Sequence, residues 1–446
     1  MSTTEKGGNV MPFCQVIVDI NHTDVDHVFT YRVPAGLDVC PGMRVHVPFG
    51  PRKLEGVVVE MAADCDLPPE RVKDICDTLE DYPAVLPPLL ELAKEIQRTS
   101  FCTLAVALRL MFPAQMRGQR IREKQQEVAV LTVAPDVLGQ VIAAQVRAPK
   151  RAKVLRALAD APDMELTTAA LRETVGDCRD ALNALCKMGF VKLEKRESLR
   201  RPYGEMERLS AQDPELTRQQ EDVLAELLPA VETGKGEFLL YGVTGSGKTE
   251  VFIRAVRRAA QMGKTAIVLV PEIALTPQMV SWFRSRFGED AAVLHSRLSP
   301  GERYDEWRRI RRGDVRVVIG ARSAIFAPLQ NVGLIIIDEE HEQSYIADNN
   351  PHYDARRLAH ERCAREGAAL LLASATPSMR SFAMAGRGDL RLLEMPRRVN
   401  NRPMPTVHVV DMREELKKGN RSVFSGALVN GLDRCLKSGR QAILFI

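Results

Sequence analysis

The sequence lacks paired cysteines. Its nine, at positions 14, 40, 65, 76, 102, 178, 186, 363 and 435, never stand as C-x-x-C, so they spell neither a zinc knuckle nor a disulfide framework. It also lacks any run of about 18 apolar residues, the length a membrane-spanning helix needs. The start, Met1 to Val10, is polar and has no apolar stretch of the kind a secretory leader carries. Nor does one sign of charge dominate. Lys and Arg number 62 against 58 Asp and Glu, and the resulting +4 is too small to announce a nucleic-acid ligand. These absences point to a protein of the reducing cytoplasm with no membrane partner, and leave any nucleic-acid argument to local features.

What is present is a chain of 446 residues, 45% hydrophobic and 27% charged, too long for one core and composed like two or three globular domains. After a polar tail, 1–10, apolar and polar residues alternate in His27-Val-Phe-Thr-Tyr-Arg-Val33, Met43-Arg-Val-His-Val-Pro-Phe49 and Leu54-Glu-Gly-Val-Val-Val-Glu60. With Pro-Gly and Gly-Pro turns between them, these predict a small antiparallel barrel or sandwich. A helical stretch from Pro87 to about Leu110 closes this domain, 11–113. The polar, basic residues that follow read as a linker, 114–149. Over 150–205, three short amphipathic helices and the alternating Phe190–Arg196 suggest a winged helix.

From 206 to 396, apolar strands at Phe238–Tyr241, Ala266–Val270, Val315–Ile319, Leu334–Ile337 and Leu370–Ala373 alternate with helical patterns. That order implies a multidomain α/β chain whose main lobe is a doubly wound, mostly parallel sheet. Two more expected strands, Val407–Val410 and Ala442–Phe445, make 397–446 the start of a second lobe, cut short at Ile446.

The chemistry concentrates in that lobe. Gly242-Val243-Thr244-Gly245-Ser246-Gly247-Lys248-Thr249 follows a strand and opens a helix, the context a phosphate loop requires. Glycines let backbone N–H groups close around phosphate oxygens, Lys248 is suited to bridge the β and γ phosphates of ATP, and Thr249 to ligate Mg2+. A glycine-rich turn matching by chance is the alternative. Farther along, Leu334-Ile-Ile-Ile337 delivers Asp338-Glu339-Glu340-His341 to a strand's carboxyl end, where ligands of open parallel sheets gather. Asp338 would hold Mg2+, and Glu339 would serve as the base for an attacking water. Read alone, the tetrad is equally an acidic strand end capping the next helix.

The phosphate loop and the Asp338-Glu-Glu-His341 box resemble those of superfamily-2 helicases. Supporting segments are Leu216-Thr-Arg-Gln-Gln220, Pro271-Glu-Ile-Ala-Leu-Thr-Pro-Gln278, Leu294-His-Ser296, Gly320-Ala-Arg-Ser323 and Ser374-Ala-Thr-Pro377. Within that superfamily the chain is most similar to the replication-restart DNA helicases, over nearly its whole length. The resemblance implies an ATP-dependent 3′ to 5′ helicase that recognises stalled or abandoned forks and initiates primosome assembly. Branched and single-stranded DNA, primosome proteins and single-stranded DNA-binding protein would be its partners.

Residue by residue, the resemblance gives Gln220 the reading of adenine and puts His341 in the catalytic box. It places Arg322, Tyr345, Tyr353 and Arg356 on DNA, the tyrosines in an aromatic-rich loop, and Phe29, Gly50 and Lys73 in a pocket for a DNA 3′ end. Thr30 departs from the family's acid at that position, which puts recognition of the terminal nucleotide in question. The alternatives are that Tyr345 and Tyr353 are ordinary core or surface aromatics and that Phe29 and Lys73 are ordinary barrel residues. The basic clusters Pro149–Lys153, Lys192–Arg201 and Arg308–Arg312 would track phosphates or line solvated helix faces. The family's zinc-binding cysteine pairs and second-lobe arginine would lie past Ile446. Two other functions stay open: a nucleotide- and fork-binding module with little turnover, and another superfamily-2 DNA translocase.

Overall fold

The computed structural model describes residues 12–68, 70–119, 121, 124–200, 214–272, 277–399 and 405–445. The expected 1–10 tail and the centre of Pro271–Gln278 lie outside them. Two units are distinguished, Met1–Arg397 and Arg398–Ile446.

The alternating segments near the start form β1 (Phe13–Val18), β2 (Phe29–Arg32), β3 (Arg44–Phe49), β4 (Arg52–Ala62) and β5 (Asp77–Thr78). They make one antiparallel sheet in the order β2-β1-β4-β3-β5. Its inward residues, among them Val16, Tyr31, Val45, Val47 and Val58, share one apolar cluster. The single expected helix is two, α1 (Pro87–Ser100) and α2 (Leu104–Leu108), broken where Phe101 turns left-handed and Thr103 caps α2 by accepting from the Val106 amide. Both pack into the same apolar cluster as one face of the parallel sheet described below. Arg44, only 2% exposed, pins β3 to the residues after Pro113 through Glu55, Glu80 and the Met116 carbonyl at 2.7–2.8 Å.

The expected linker 114–149 contains regular structure. β6 (Gln125–Leu131) is the central strand of a three-stranded antiparallel sheet, β7-β6-β8, and α3 (Pro135–Ala144) follows it. The polar first half of β6 hides the signal, whereas Val128, Ala129 and Leu131 are buried. Around this sheet lie α4 (Pro149–Ala159), β7 (Glu165–Thr167), α5 (Thr168–Val175), α6 (Arg179–Lys187) and β8 (Val191–Glu197).

The lobe that follows runs α7 (Arg218–Thr233), β9 (Glu237–Gly242), α8 (Lys248–Gln261), β10 (Thr265–Leu269), α9 (Pro277–Phe287), β11 (Ala291–Leu294), α10 (Pro300–Arg312), β12 (Val317–Gly320), β13 (Val332–Ile337), α11 (Ala355–Glu366), β14 (Ala369–Ser374), α12 (Met379–Arg387) and β15 (Arg391–Met395). Its seven strands are all parallel, ordered β11-β12-β10-β13-β14-β9-β15. The two edge strands, β11 and β15, were not among the expected ones. β15, with Arg391 and Glu394 exposed, has the weaker apolar pattern of a strand covered on fewer sides. The central strands are fully buried, the condition that produces continuous runs such as Leu334–Ile337.

Helix α10 corrects the phosphate-tracking reading of its arginines. Arg308 and Arg312 both bind Glu197 of β8, at 2.5 and 2.9 Å, while Arg200 reaches Asp305 at 3.1 Å. Arg309 pairs with Glu306 at 2.6 Å, and Arg311 donates to the Pro83 carbonyl at 2.8 Å. The cluster fastens the first sheet domain, the β6–β8 subdomain and the parallel lobe to one another.

The unit 398–446 holds α13 (Met412–Lys417) and α14 (Gly426–Lys437), joined where Glu415 accepts from the Gly426 amide at 2.7 Å. The strands expected at 407–410 and 442–445 are not formed. Val407, Val409, Ile443 and Phe445 are exposed, and no neighbouring strand among the described residues supplies the ladder a strand needs.

Candidate nucleotide and DNA site

The phosphate loop closes between β9 and α8. Gly245 and Gly247 both take positive φ, 82° and 84°, as a chain turning its amides inward requires. A Cβ on Gly242 would meet the Ser246 Oγ at 2.9 Å and the Lys248 Cγ at 3.1 Å, so this position too is closed to larger residues. Lys248 donates to the Gly242 carbonyl at 2.9 Å, and its Nζ is 4.0 Å from Glu339 Oε1. The Ser246 hydroxyl is buried with no hydrogen-bond partner, a cost justified where a ligand's acceptor will sit. Thr244 and Gly245 form the exposed tip, Val243 donates to the Met395 carbonyl, and Thr249 stands half-buried in the first turn of α8.

Gln220 is bonded to both the start of α7 and the phosphate loop. It is 3% exposed, its Oε1 accepts from the Thr217 amide at 2.8 Å, and its Nε2 donates to the Gly247 carbonyl at 3.1 Å. The amide oxygen is engaged in capping α7, and one of the two N–H groups braces the phosphate loop.

β13 carries Asp338 to the sheet's carboxyl edge beside that loop. Burial, and then the neighbouring Glu339, push the Asp338 carboxyl up to about 6, with Lys248 opposing them. Glu339 is bent outward by a positive φ of 44°, and its amide donates to Asp338 Oδ1 at 3.0 Å. Strain at a non-glycine residue persists where surroundings impose it, as at reactive sites. His341 Nδ1 lies 2.8 Å from the Ser374 hydroxyl, which in turn is 3.4 Å from Glu339 Oε2. The Ser374–Pro377 segment is thereby wired to the acidic tetrad.

A loop of residues 343–356 adjoins the tetrad, with Tyr345 buried and Tyr353 half-buried. Tyr345 is 1% exposed, its hydroxyl within 2.5 Å of the Asp338 carbonyl and 3.2 Å of the Leu269 carbonyl. The stacking role expected of Tyr345 is therefore corrected: the ring is core and braces the strand end. Tyr353 is half-buried, edge-on to Phe326 with centroids 5.1 Å apart. Arg322 donates to the carbonyls of Ser344 and Ile346, and Arg356 grips Asp354 with two nitrogens at 2.8 Å while donating to the Glu340 carbonyl at 2.8 Å. Arg356 thus ties the loop to the tetrad, whereas Arg322 ties it to the 320–323 segment.

In the first sheet domain, Phe29, Thr30, Gly50 and Lys73 line one open cavity of about 450 Å³. Phe49 meets Phe29 edge-on at 5.2 Å, and His27 lies 4.3 Å from Phe29. Lys73 and Arg71 are exposed at the rim.

Two family models match the chain: the PriA 3′DNA-binding domain over residues 15–113 and the DEAD/DEAH box helicase over residues 217–385. The replication restart protein PriA of Bacillus subtilis is 35% identical over 98% of this chain, and that of Synechocystis sp. is 36% identical over 98%. The chain belongs to the PriA family of replication restart proteins. It spans 62% and 61% of the length of those two PriA relatives. Among solved structures, RecG bound to a three-way DNA junction is 28% identical over 43% of this chain and 24% of that one, with a TM-score of 0.31. A DEAD box protein from Methanococcus jannaschii is 21% identical over 48% of this chain and 53% of that one, with a TM-score of 0.32.

The loop and the tetrad lie within the stretch that matches the DEAD/DEAH box helicase, and the cavity lies within the stretch that matches the 3′DNA-binding domain. Among the described residues, no cluster of three or more His, Cys, Asp or Glu side chains could hold a metal ion by itself. Mg2+ does not need one, since it is commonly held by one or two protein groups together with substrate phosphates. The unpartnered Ser246 hydroxyl and the Asp338 carboxylate are suited to such a complex. No helix among the described residues is long and apolar enough to cross a membrane.

Glu340 escaped the sequence reading. Fully buried, its carboxylate accepts from the Ser378 amide at 2.6 Å and the Ser381 hydroxyl at 2.8 Å, fixing the start of α12. A third acid at the end of an apolar strand was the available signal. His27, Phe49 and Arg71, which line the cavity around Phe29, carried none, because only the folded domain brings them together.

Proposed function

We propose that this chain is the nucleotide-hydrolysing, fork-binding part of an ATP-dependent 3′ to 5′ DNA helicase that works in the cytoplasm, recognises stalled or abandoned forks and initiates primosome assembly. The observation that carries the reading is the 4.0 Å approach of Lys248 to Glu339 at the carboxyl edge of a parallel sheet, with the 343–356 loop bonded to the same tetrad. When bound, Mg2+–ATP supplies a phosphoryl group whose transfer is accelerated mainly by positioning and charge stabilisation. Lys248 exchanges the Gly242 carbonyl for phosphate oxygens, Thr249 and Asp338 hold the metal, and Glu339 accepts a proton from the attacking water. His341, through Ser374, holds Glu339 in place.

The β6–β8 subdomain is read as a winged helix that contacts the duplex arms of a fork, and 398–446 as the start of a second helicase lobe. Phe29, stacked in its cavity with Lys73 at the rim, would receive the 3′ end of a nascent strand, Thr30 offering a hydroxyl to sugar or base. Single-stranded DNA-binding protein and primosome proteins are the protein partners proposed.

The test is ATP hydrolysis by this 446-residue chain with and without forked DNA, beside Lys248→Ala. DNA-stimulated turnover abolished in the variant supports the motor reading. Nucleotide and fork binding without turnover would reduce the chain to a binding module.

A further inference from the structure

Helix α1 ends at Phe101, which adopts the left-handed conformation, φ 50° and ψ 38°, with 93% of its surface exposed. Glycine is the residue suited to this place, because a Cβ crowds the neighbouring carbonyl there. A bulky side chain in that region is an outlier whose persistence asks for a function. The fold does not use the ring: among the described residues it stacks on no other aromatic side chain.

Its neighbours fasten this elbow to the loop beside the acidic tetrad. The Ser100 hydroxyl donates to the His352 carbonyl, and Glu95, one turn earlier in α1, accepts from Arg357 at 2.7 Å and from Arg98 at 2.8 Å. That loop turns Tyr345 into the core and leaves Tyr353 half-buried. At its edge, where Ser100 meets His352, the Phe101 ring stands exposed.

We propose that Phe101 is a stacking contact for an unpaired base of single-stranded DNA, and that Ser100 couples this contact to the 343–356 loop while Glu95 couples it to α11. The proposal rests on the DNA-motor reading above. An exposed ring accepts any base face, because every base has one. Duplex DNA presents no free base face, so the contact distinguishes single strands from duplex.

The test compares Phe101→Gly and Phe101→Trp with the unaltered chain, using an oligo-dT single strand and a duplex of equal length. Phe101→Gly should leave the melting temperature unchanged or raise it, because glycine relieves the backbone, while weakening oligo-dT binding about tenfold, the loss of one stacked base. Phe101→Trp should retain affinity and add, over the two native tryptophans, a fluorescence signal quenched by oligo-dT and not by duplex. Unchanged oligo-dT affinity in Phe101→Gly, or no added quenching in Phe101→Trp, overturns the assignment and leaves the motor reading standing. Failure of the unaltered chain to bind any single strand overturns both.

Discussion

Arg356 donates a 2.8 Å hydrogen bond to the main-chain carbonyl of Glu340. The same guanidinium is clamped by Asp354, so a displacement of the 343–356 loop is carried directly to the peptide that joins Glu340 to His341. A side chain that joins two segments of a site in this way acts on coupling more than on binding.

Replacing Arg356 by Ala should therefore lower DNA-stimulated ATP hydrolysis by about tenfold or more, within the usual range for coupling between sites. Nucleotide affinity, measured by titration without DNA, should be nearly unchanged. Equal losses of affinity and turnover would refute the coupling role.

Glu339→Gln keeps the size of the side chain and removes the proton acceptor. Nucleotide binding should survive, since Lys248 and Asp338 are untouched, while hydrolysis should fall about 100-fold or more, as expected for loss of a general base. A titration showing lost nucleotide binding would reassign Glu339 to ligand contact.

Lys73 lines the rim of the Phe29 cavity and is exposed, so Lys73→Ala should leave folding unaffected. It should weaken binding to a fork with a free 3′ hydroxyl by several fold, and less so when that end is blocked or when salt is raised. Identical affinities for the free and blocked forks would remove the cavity from consideration as an end-binding site.

Glu197 receives both Arg308 and Arg312, and Arg308 is buried. Reversing the charge with Glu197→Lys leaves that guanidinium without its carboxylate, destabilising the chain on the order of 2 kcal/mol. Denaturant or thermal unfolding reads this directly, and an unaltered midpoint would show that the pair contributes no more than an exposed one.

The phosphate loop and the acidic tetrad were legible because their function is local. Glycine spacing makes the loop whatever surrounds it, and a buried central strand must be apolar until its end reaches the ligand. The edge strand β15 and the polar start of β6 were not legible, because their pairing is made by distant segments. Val407–Val410 misled for the same reason, as apolar residues form a strand only when a ladder is offered.

The sequence by itself determined a parallel lobe that carries the glycine-rich loop and the acidic tetrad, and an antiparallel domain before it. Tertiary structure decided the rest. Tyr345 and the arginines of α10 have residue types suited to ligands or DNA, yet each is taken up by internal partners, whereas Phe101 stands in solvent. Which way a side chain faces depends on what packs against its element, and that information is spread over the whole chain rather than held in the residues beside it.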